Sequence, residues 1–278
     1  MTGIIISSNI NTYKVKIKNK TYNAFSTNQL KKNKLYVGDK VEIEILEDKR
    51  IIIKKVLERK NFFIRPRVAN IDNAIIVNST IEPIFNDYFL DKLITFFQFQ
   101  NVKPILLFTK IDLFLNDEIK ILISEYKKMG YIVLLFKNGF DKKNFLLFQN
   151  ETKNKINVFT GNTGVGKTTI VNSLSKNLNL KTQEISRFLK RGKHTTTNLI
   201  SYEIFENSFF IDSPGFSIFQ SDMNKIDIAH NFLNYSLYLK DCKFSNCLHR
   251  NESGCNVRER YSKRKYMNYL KFLDEVKN

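Results

Sequence analysis

The fold of this chain is decided by the stretch Gly161-Asn162-Thr163-Gly164-Val165-Gly166-Lys167-Thr168. It fits the pattern G-x-x-x-x-G-K-[ST] and lies between an apolar strand, residues 156–159, and a predicted helix. In such loops backbone N–H groups wrap around phosphates, the lysine reaches the β and γ phosphates, and the hydroxyl ligates Mg²⁺. The sequence therefore predicts a nucleoside triphosphate site, with Lys167 in a catalytic role, Thr168 on Mg²⁺ and Thr169 in the phosphate-binding set.

A second motif bears on the base. Thr109, Lys110, Ile111 and Asp112 follow a predicted strand, residues 104–108, and resemble the guanine-reading sequence N-K-x-D. An aspartate there accepts hydrogen bonds from the ring N–H and exocyclic amine of guanine, and the lysine stem packs on the base. Thr109 replaces the usual Asn and removes an amide contact, so we expect an effect on guanine affinity more than on guanine preference. Taken alone, the tetrapeptide also fits an ordinary loop at a strand end.

A third motif, D-x-x-G, occurs at Asp212-Ser213-Pro214-Gly215 after another predicted strand. Its Asp assists Mg²⁺ through water, and its Gly N–H senses the γ-phosphate. Between it and the phosphate loop lies the hydroxyl-rich loop Arg191-Gly192-Lys193-His194-Thr195-Thr196-Thr197, where the Mg²⁺-binding threonine of a switch belongs. Thr197 is the candidate ligand, although the pattern does not separate it from the two threonines before it.

The order of these motifs is unusual. In ordinary G domains the base-reading motif follows the phosphate loop and both switches, whereas here it precedes them. The sequence therefore predicts a circularly permuted sheet, which is allowed when the original termini lie close together at the surface. This order also places D-x-x-G next to the C-terminal segment, so we expect loss of the γ-phosphate to move that segment.

The residue that positions the attacking water is not the usual one. Phe216 follows D-x-x-G where Ras-like enzymes carry Gln, and a phenyl ring cannot form that hydrogen bond. His194 is the candidate catalytic residue because an imidazole can orient or polarise water. An exposed loop histidine without a catalytic role is the alternative.

The N-terminal part reads as short strands separated by turns. Five such strands favour a small barrel, and periodicity alone does not distinguish an oligonucleotide-binding fold from an SH3-like barrel. Arg65-Pro66-Arg67 interrupts the β pattern and marks a first boundary. Beyond it strands alternate with helices, the pattern of a parallel α/β sheet. The predicted barrel strands are residues 4–6, 13–17, 21–25, 41–46 and 50–56.

All three cysteines lie in one short segment near the C-terminus. With one histidine they form C-x₄-C-x-H-x₅-C, which supplies enough ligands for a closed tetrahedral Zn²⁺ site. Because no open position remains for catalysis, the sequence predicts one structural zinc ion that stabilises a segment with little core of its own. Unrelated buried thiols are the alternative. The predicted ligands are Cys242, Cys247, His249 and Cys255.

Charge and composition favour a polyanionic partner. The net charge is +18, from 45 Lys and Arg against 27 Asp and Glu, and 42% of the 278 residues are hydrophobic. Such a chain folds and attracts nucleic acid, although a nucleotide-biased genome gives a similar composition. Without a signal-peptide pattern at its start, we expect a cytoplasmic protein that does not contact membranes. A basic helix predicted at residues 258–276 carries tyrosines that suit either stacking on RNA or docking on the neighbouring domain.

Taken together, these features resemble the small-subunit biogenesis GTPase family known as RsgA or YjeQ, along the whole chain. The resemblance implies an oligonucleotide-binding N-terminal barrel, slow GTP hydrolysis stimulated by the small ribosomal subunit and its rRNA, a structural zinc and a role late in subunit maturation. It also favours His194 as the catalytic residue. A clear Ser-Ala guanine-loop motif is absent near residues 136–139. Besides the motifs above, the resemblance rests on Val37-Gly38-Asp39, Arg65-Pro66, Val68-Ala69-Asn70-Ile71-Asp72 and Phe216.

Three hypotheses follow. The leading one is an RNA-stimulated GTPase, expected to be a monomer, that binds GTP and GDP with Mg²⁺ and leaves rRNA on hydrolysis. The second is a P-loop kinase of a small substrate, which predicts adenine preference and an acceptor other than water. The third is a non-catalytic RNA-binding scaffold. The predicted domains are an oligonucleotide-binding barrel at 1–64, a circularly permuted α/β P-loop GTPase domain at 65–220 and a mostly helical zinc-binding domain at 221–278.

Overall fold

The computed structural model describes residues 1–9, 12–27, 30, 34–177, 201–212 and 222–276, without the side chains of 175–177 and 212. Apolar side chains alternate along the N-terminal strands, so that one face of each strand enters a common core that includes Ile5, Val15 and Ile53. The strands form a closed barrel in the order β1-β2-β3-β5-β4, which agrees with the oligonucleotide-binding fold. They are β1 (Thr2–Ser8), β2 (Tyr13–Ile17), β3 (Lys20–Ser26), β4 (Lys40–Ile45) and β5 (Ile51–Val56).

A short hairpin joins the barrel to the rest of the chain. It consists of β6 (Phe62–Phe63) and β7 (Val68–Ala69) and spans the predicted boundary after residue 64. The hairpin is tied to the barrel, because Ala69 N donates to Val37 O at 2.8 Å. The connection is therefore an ordered part of the structure rather than a loose linker, and the exact domain limits stay a prediction.

The central sheet has six strands in the order β10-β9-β8-β11-β13-β12. All neighbouring strands are parallel except β12 and β13, which form an antiparallel pair at one edge. Long apolar runs build the inner strands because both faces of the sheet are covered. The strands are β8 (Asn73–Ser79), β9 (Lys103–Thr109), β10 (Ile132–Leu135), β11 (Ile156–Thr160), β12 (Ser201–Phe205) and β13 (Ser208–Asp212).

Helices cover both faces of this sheet. Three of them begin at side-chain caps, since Asn86, Asn116 and Asp141 each accept a hydrogen bond from a backbone N–H three residues later. The helices are α1 (Asp87–Phe99), α2 (Asp117–Lys128), α3 (Lys142–Thr152) and α4 (Lys167–Asn177). The chain order of strands and helices confirms a circularly permuted α/β domain.

The C-terminal part is mostly helical, as predicted, and packs on α1. It contains α5 (Lys225–Asn231) and α6 (Lys263–Glu275), joined by short 3₁₀ turns. Phe232, Tyr235 and Tyr269 are fully buried in an apolar cluster that continues into α1 and the sheet. The predicted basic helix begins later than expected, at Lys263, because residues 258–260 form a 3₁₀ turn.

The barrel also contacts the edge strand β12. Lys16 of β2 forms an ion pair with Glu203, and Ser201 Oγ donates to Ile6 O at 3.1 Å. Part of the outer face of β2 therefore lies against the edge of the α/β sheet. Within the described ranges, no helix is long and apolar enough to cross a membrane.

Candidate functional site

The phosphate loop follows β11 and leads directly into α4. Gly161 has φ of 129°, and a Cβ there would lie 2.2 Å from Val77 O. Gly166 also has a positive φ, of 95°. Both positions require glycine, because side chains rarely adopt these conformations and the backbone of β8 passes close to the first one. The loop therefore holds its N–H groups at the N-terminus of a helix, which is an anion-binding arrangement.

Lys167 is held across this loop. Its Nζ donates to Gly161 O at 2.7 Å and to Asn162 O at 3.0 Å. These carbonyls fix the ammonium group beside the loop, where the β and γ phosphates of a nucleotide bind in proteins of this kind. Thr163, Thr168 and Thr169 are exposed, so their hydroxyl groups are accessible to a ligand or ion.

The structure brings the predicted base-reading motif against the phosphate loop, although about fifty residues separate the two in sequence. Thr109 ends β9, is buried, and donates from Oγ1 to Val165 O at 2.6 Å. Lys110 has a positive φ of 58°, and its Nζ donates to Glu82 O at 2.6 Å. Asp112 is exposed, whereas Ile111 is buried and anchors the loop.

Sequence reasoning missed Thr80, which supports this loop. Its Oγ1 lies 3.2 Å from Thr109 O and 3.0 Å from Lys110 O, and its N–H donates to Thr109 O. The hydroxyl thus caps carbonyls that the turn after β9 leaves open. A threonine just after a buried strand carries no local signal of this contact, since its partners lie 29 and 30 residues away.

The third motif is only partly described. Asp212 ends β13, and its Cα pairs in register with Phe159 of β11, just before the phosphate loop. The D-x-x-G motif therefore begins at the same edge of the sheet as the phosphate loop. The predicted residues His194, Thr197, Gly215 and Phe216 lie outside the described residues.

The predicted metal ligands converge at one point. The ligand atoms of Cys242, Cys247, His249 and Cys255 all lie within 4.8 Å of one another. His249 is fully buried, and its Nδ1 faces the thiols, 3.4 Å from Cys255 Sγ and 3.8 Å from Cys242 Sγ. Three thiols and an imidazole nitrogen in this arrangement suit tetrahedral Zn²⁺, so the residues present fit the ion.

Neighbouring groups hold residues 242–255, which carry the predicted ligands and which we call the metal-binding loop, in shape. Glu252 accepts hydrogen bonds from Leu248 N at 2.9 Å and Arg250 N at 2.7 Å, and Tyr266 donates to His249 O at 2.9 Å. Burial is the main cause that raises the pKa of the Cys247 thiol, to about 12. The hydrogen bonds fix the backbone that carries the predicted ligands.

Two tyrosines and one lysine of the predicted basic helix make contacts within the protein. Tyr266 and Tyr269 donate to backbone carbonyls of the metal-binding loop. Lys265 is fully buried against Asp91 of α1. Lys265 is therefore not available to RNA phosphates, and the hydroxyl groups of the two tyrosines bond within the C-terminal part rather than to the neighbouring domain.

A phosphate-loop sequence, a loop that resembles the guanine-reading motif and a D-x-x-G strand end, in permuted order on one sheet, are the features of a circularly permuted P-loop GTPase. The sequence profile of the family described as RsgA GTPase matches residues 56–222. The chain is 41% identical over 268 residues to the small ribosomal subunit biogenesis GTPase RsgA of Malacoplasma penetrans, covering 92% of each chain. It is 38% identical to the RsgA of Mycoplasmopsis agalactiae, covering 100% of this chain and 99% of the other. The chain therefore belongs to the RsgA GTPase family.

Solved structures agree with this assignment. The crystal structure of YloQ, a circularly permuted GTPase, matches with a TM-score of 0.80 and 26% identity, covering 99% of this chain and 94% of the other. YjeQ from Thermotoga maritima matches with a TM-score of 0.78 and 24% identity over 99% of this chain and 97% of the other, which supports the fold. The predicted GTPase activity is thus confirmed at the level of the family.

Proposed function

We propose that this GTPase acts on the small ribosomal subunit late in its maturation, and that hydrolysis of GTP to GDP and phosphate controls its binding and release. The observation that carries the proposal is end-to-end similarity to proteins named for that function, together with a complete phosphate loop joined to a guanine-type motif. We further propose that it works in the cytoplasm as a monomer and contacts rRNA, in keeping with its net charge of +18.

Within the nucleotide site, we assign roles to the residues by their positions. The N–H groups of residues 161–168 would hold the phosphates, Lys167 would stabilise charge on the β and γ phosphates, and Thr168 would ligate Mg²⁺. Asp112 would accept hydrogen bonds from guanine, next to the stem of Lys110. Asp212 would assist Mg²⁺, and Thr197, Gly215 and His194 keep their predicted roles as switch and catalytic residues. Bound Mg²⁺ would neutralise negative charge on the phosphates.

Hydrolysis in the presence of ribosomal subunits tests the function. We expect purified small subunits, at low salt, to raise the GTP hydrolysis rate well above that of the free protein, and large subunits to leave it unchanged. We also expect a non-hydrolysable GTP analogue to increase co-sedimentation with small subunits relative to GDP. Absence of stimulation by small subunits would count against the proposal, and tighter binding of ATP than GTP would favour a kinase.

Thr109 is expected to support guanine-nucleotide binding through its hydroxyl. A Thr109→Val variant keeps the side-chain shape but leaves Val165 O without its buried donor, which costs about 1–2 kcal/mol. We expect GDP affinity, measured by calorimetry, to fall roughly five- to thirtyfold. Thr109→Ser restores the donor and is expected to bind GDP like the wild type. Equal affinity of the valine and wild-type proteins would show that this contact does not support the site.

We also propose one structural zinc ion, held by the four predicted ligands. Elemental analysis of purified protein is expected to give one zinc per chain, and Cys255→Ser is expected to bind less zinc and to lose protection of the C-terminal part from proteolysis. The buried Cys247 is less suitable for this test, because its loss would also disturb packing. A zinc-free wild-type protein with a protected C-terminal part would contradict the assignment.

A further inference from the structure

The barrel carries a second candidate surface for RNA, away from the outer face of β2 and β3. Oligonucleotide-binding barrels generally use that face, but here Lys16 of β2 is engaged with Glu203 of β12. Between the end of β5 and the segment before β4 lies a groove of about 610 Å³. We call it the basic groove and define it by Lys34, Tyr36, Lys55, Arg59 and Phe62.

A fixed guanidinium group forms the wall of the basic groove. Arg59 Nε and Nη2 donate to the two carboxylate oxygens of the buried Asp39 at 2.6 and 2.9 Å, and Nη2 also donates to Lys34 O at 2.8 Å. Its Cζ lies 4.3 Å from the ring centre of Tyr36 and 5.6 Å from that of Phe62. The bidentate pair holds the guanidinium beside both rings, whose centres lie 6.0 Å apart, so the cluster of the three side chains is formed before any ligand binds.

Phe62 leaves part of its ring available to a ligand. It is 50% exposed, whereas its neighbour Phe63 points the other way and is buried. Ile64, the next residue on the outward side, is 64% exposed. The exposed part of the Phe62 ring therefore lies in the lining of the groove, where a ligand can reach it.

The charges of the basic groove indicate the kind of partner. Its described lining includes Lys34, Lys55 and Arg59 and no carboxylate. Asp39 lies beneath the lining and is already paired with Arg59, and Glu42 of β4 lies opposite Lys55 but outside the lining. The lining itself is therefore positively charged. A positive surface with exposed aromatic and guanidinium groups in a pre-ordered cluster is a combination that binds unpaired nucleotides, because every base has a face that stacks.

We propose that the basic groove binds an unpaired nucleotide of RNA, with its base stacked on Phe62 and its phosphates beside Lys34 and Lys55. The inference rests on the proposed function, which makes RNA the partner, and adds where on the barrel a single strand is held. A duplex cannot present a free base face in the groove, so the surface selects unpaired RNA.

Binding of a labelled 12-nucleotide single-stranded RNA to the full chain, followed by fluorescence anisotropy, tests the proposal. We expect Phe62→Leu to weaken binding about five- to a hundredfold, because the leucine keeps an apolar surface but loses the stacking ring. Phe62→Tyr keeps the ring and is expected to bind like the wild type. The matched control is Phe25→Leu on β3, an aromatic side chain that is 40% exposed outside the groove. Wild-type affinity in Phe62→Leu, or a larger loss in Phe25→Leu, would overturn the proposal.

Salt dependence tests the phosphate contacts, and competition experiments distinguish single-stranded RNA from a duplex and from a protein partner. Lys34→Gln and Lys55→Gln are each expected to reduce the slope of log affinity against log salt by about 0.7, the value for one phosphate of a single strand. A 12-base-pair RNA duplex is expected to compete poorly. An acidic peptide that binds as tightly and is equally sensitive to Phe62→Leu would overturn the proposal in favour of a protein partner.

The two proposals fail differently. If small subunits stimulate GTP hydrolysis while the Phe62→Leu change leaves RNA affinity intact, the proposed function stands and the basic groove is not the RNA site. If the wild-type protein does not bind the oligonucleotide at all, the groove assignment is overturned, whatever the effect of small subunits on hydrolysis.

Discussion

A Lys265→Met variant is expected to lose about 3–5 kcal/mol of unfolding free energy, because it leaves a buried carboxylate without its counter-charge. Lys265 and Asp91 are both fully buried, and Lys265 Nζ donates to the two carboxylate oxygens of Asp91 at 2.8 and 3.0 Å. Lys265 Nζ also lies 2.6 Å from Tyr126 OH, and Tyr126 OH donates to Asp91 at 2.6 Å. Burial and the charge of Asp91 raise the pKa of Tyr126 well above its usual value, so Tyr126 remains a neutral donor.

Urea unfolding of the full-length protein measures this loss. Lys263→Met removes an exposed lysine from the same helix and is expected to change the free energy of unfolding by less than about 0.5 kcal/mol. Adding Asp91→Asn to Lys265→Met removes the unpaired charge and is expected to restore part of the stability. A Lys265→Met protein as stable as the Lys263→Met control would show that the buried pair contributes little.

The same network fixes the C-terminal part to α1. Arg264 forms hydrogen bonds with both carboxylate oxygens of Asp87 at 2.8 and 2.9 Å, and Asn268 bonds to Asp87 and Asp91. Burial opposes ionisation of Asp87, but Arg264, Lys265 and Asn268 outweigh it and lower the pKa of this carboxyl. We predicted from motif order that loss of the γ-phosphate moves the C-terminal segment. Given these contacts, such a movement would have to carry α1 with it or break a buried ion pair.

Structural features that depend on residues close together in the sequence could be predicted well. The phosphate loop, its glycines and the alternation of strands and helices follow from short patterns, and the structure contains all three. The cysteine spacing predicted a cluster that the structure brings together. Each of these features depends on residues that are close in the chain or on a repeating pattern of apolar side chains.

Contacts between distant segments could not be predicted. The basic residues of α6 suggested an RNA-binding surface. Nothing near Lys265 in sequence shows that Asp91 and Tyr126 surround it in the fold. The loss of GDP affinity expected for Thr109→Val could also be predicted only from the structure. The Thr109 hydroxyl donates to Val165 O in the phosphate loop, 56 residues away. Both cases concern polar side chains whose partners are set by the tertiary fold.

A Lys167→Ala variant is expected to lower kcat/KM for GTP by at least about 10²–10³, because it removes the positive charge nearest to the transferred phosphoryl group. The carbonyls of Gly161 and Asn162 already hold the ammonium group at 2.7 and 3.0 Å, so its position is prepared before the nucleotide binds. Since Lys167 is the first residue of α4 and alanine favours helices, the loop and helix should still form. Phosphate release measures the loss, with the exposed Lys143→Ala as control. Hydrolysis within threefold of wild type would show that another cation performs this role. If hydrolysis is lost and RNA affinity no longer differs between GDP and a GTP analogue, the nucleotide site is connected to RNA binding.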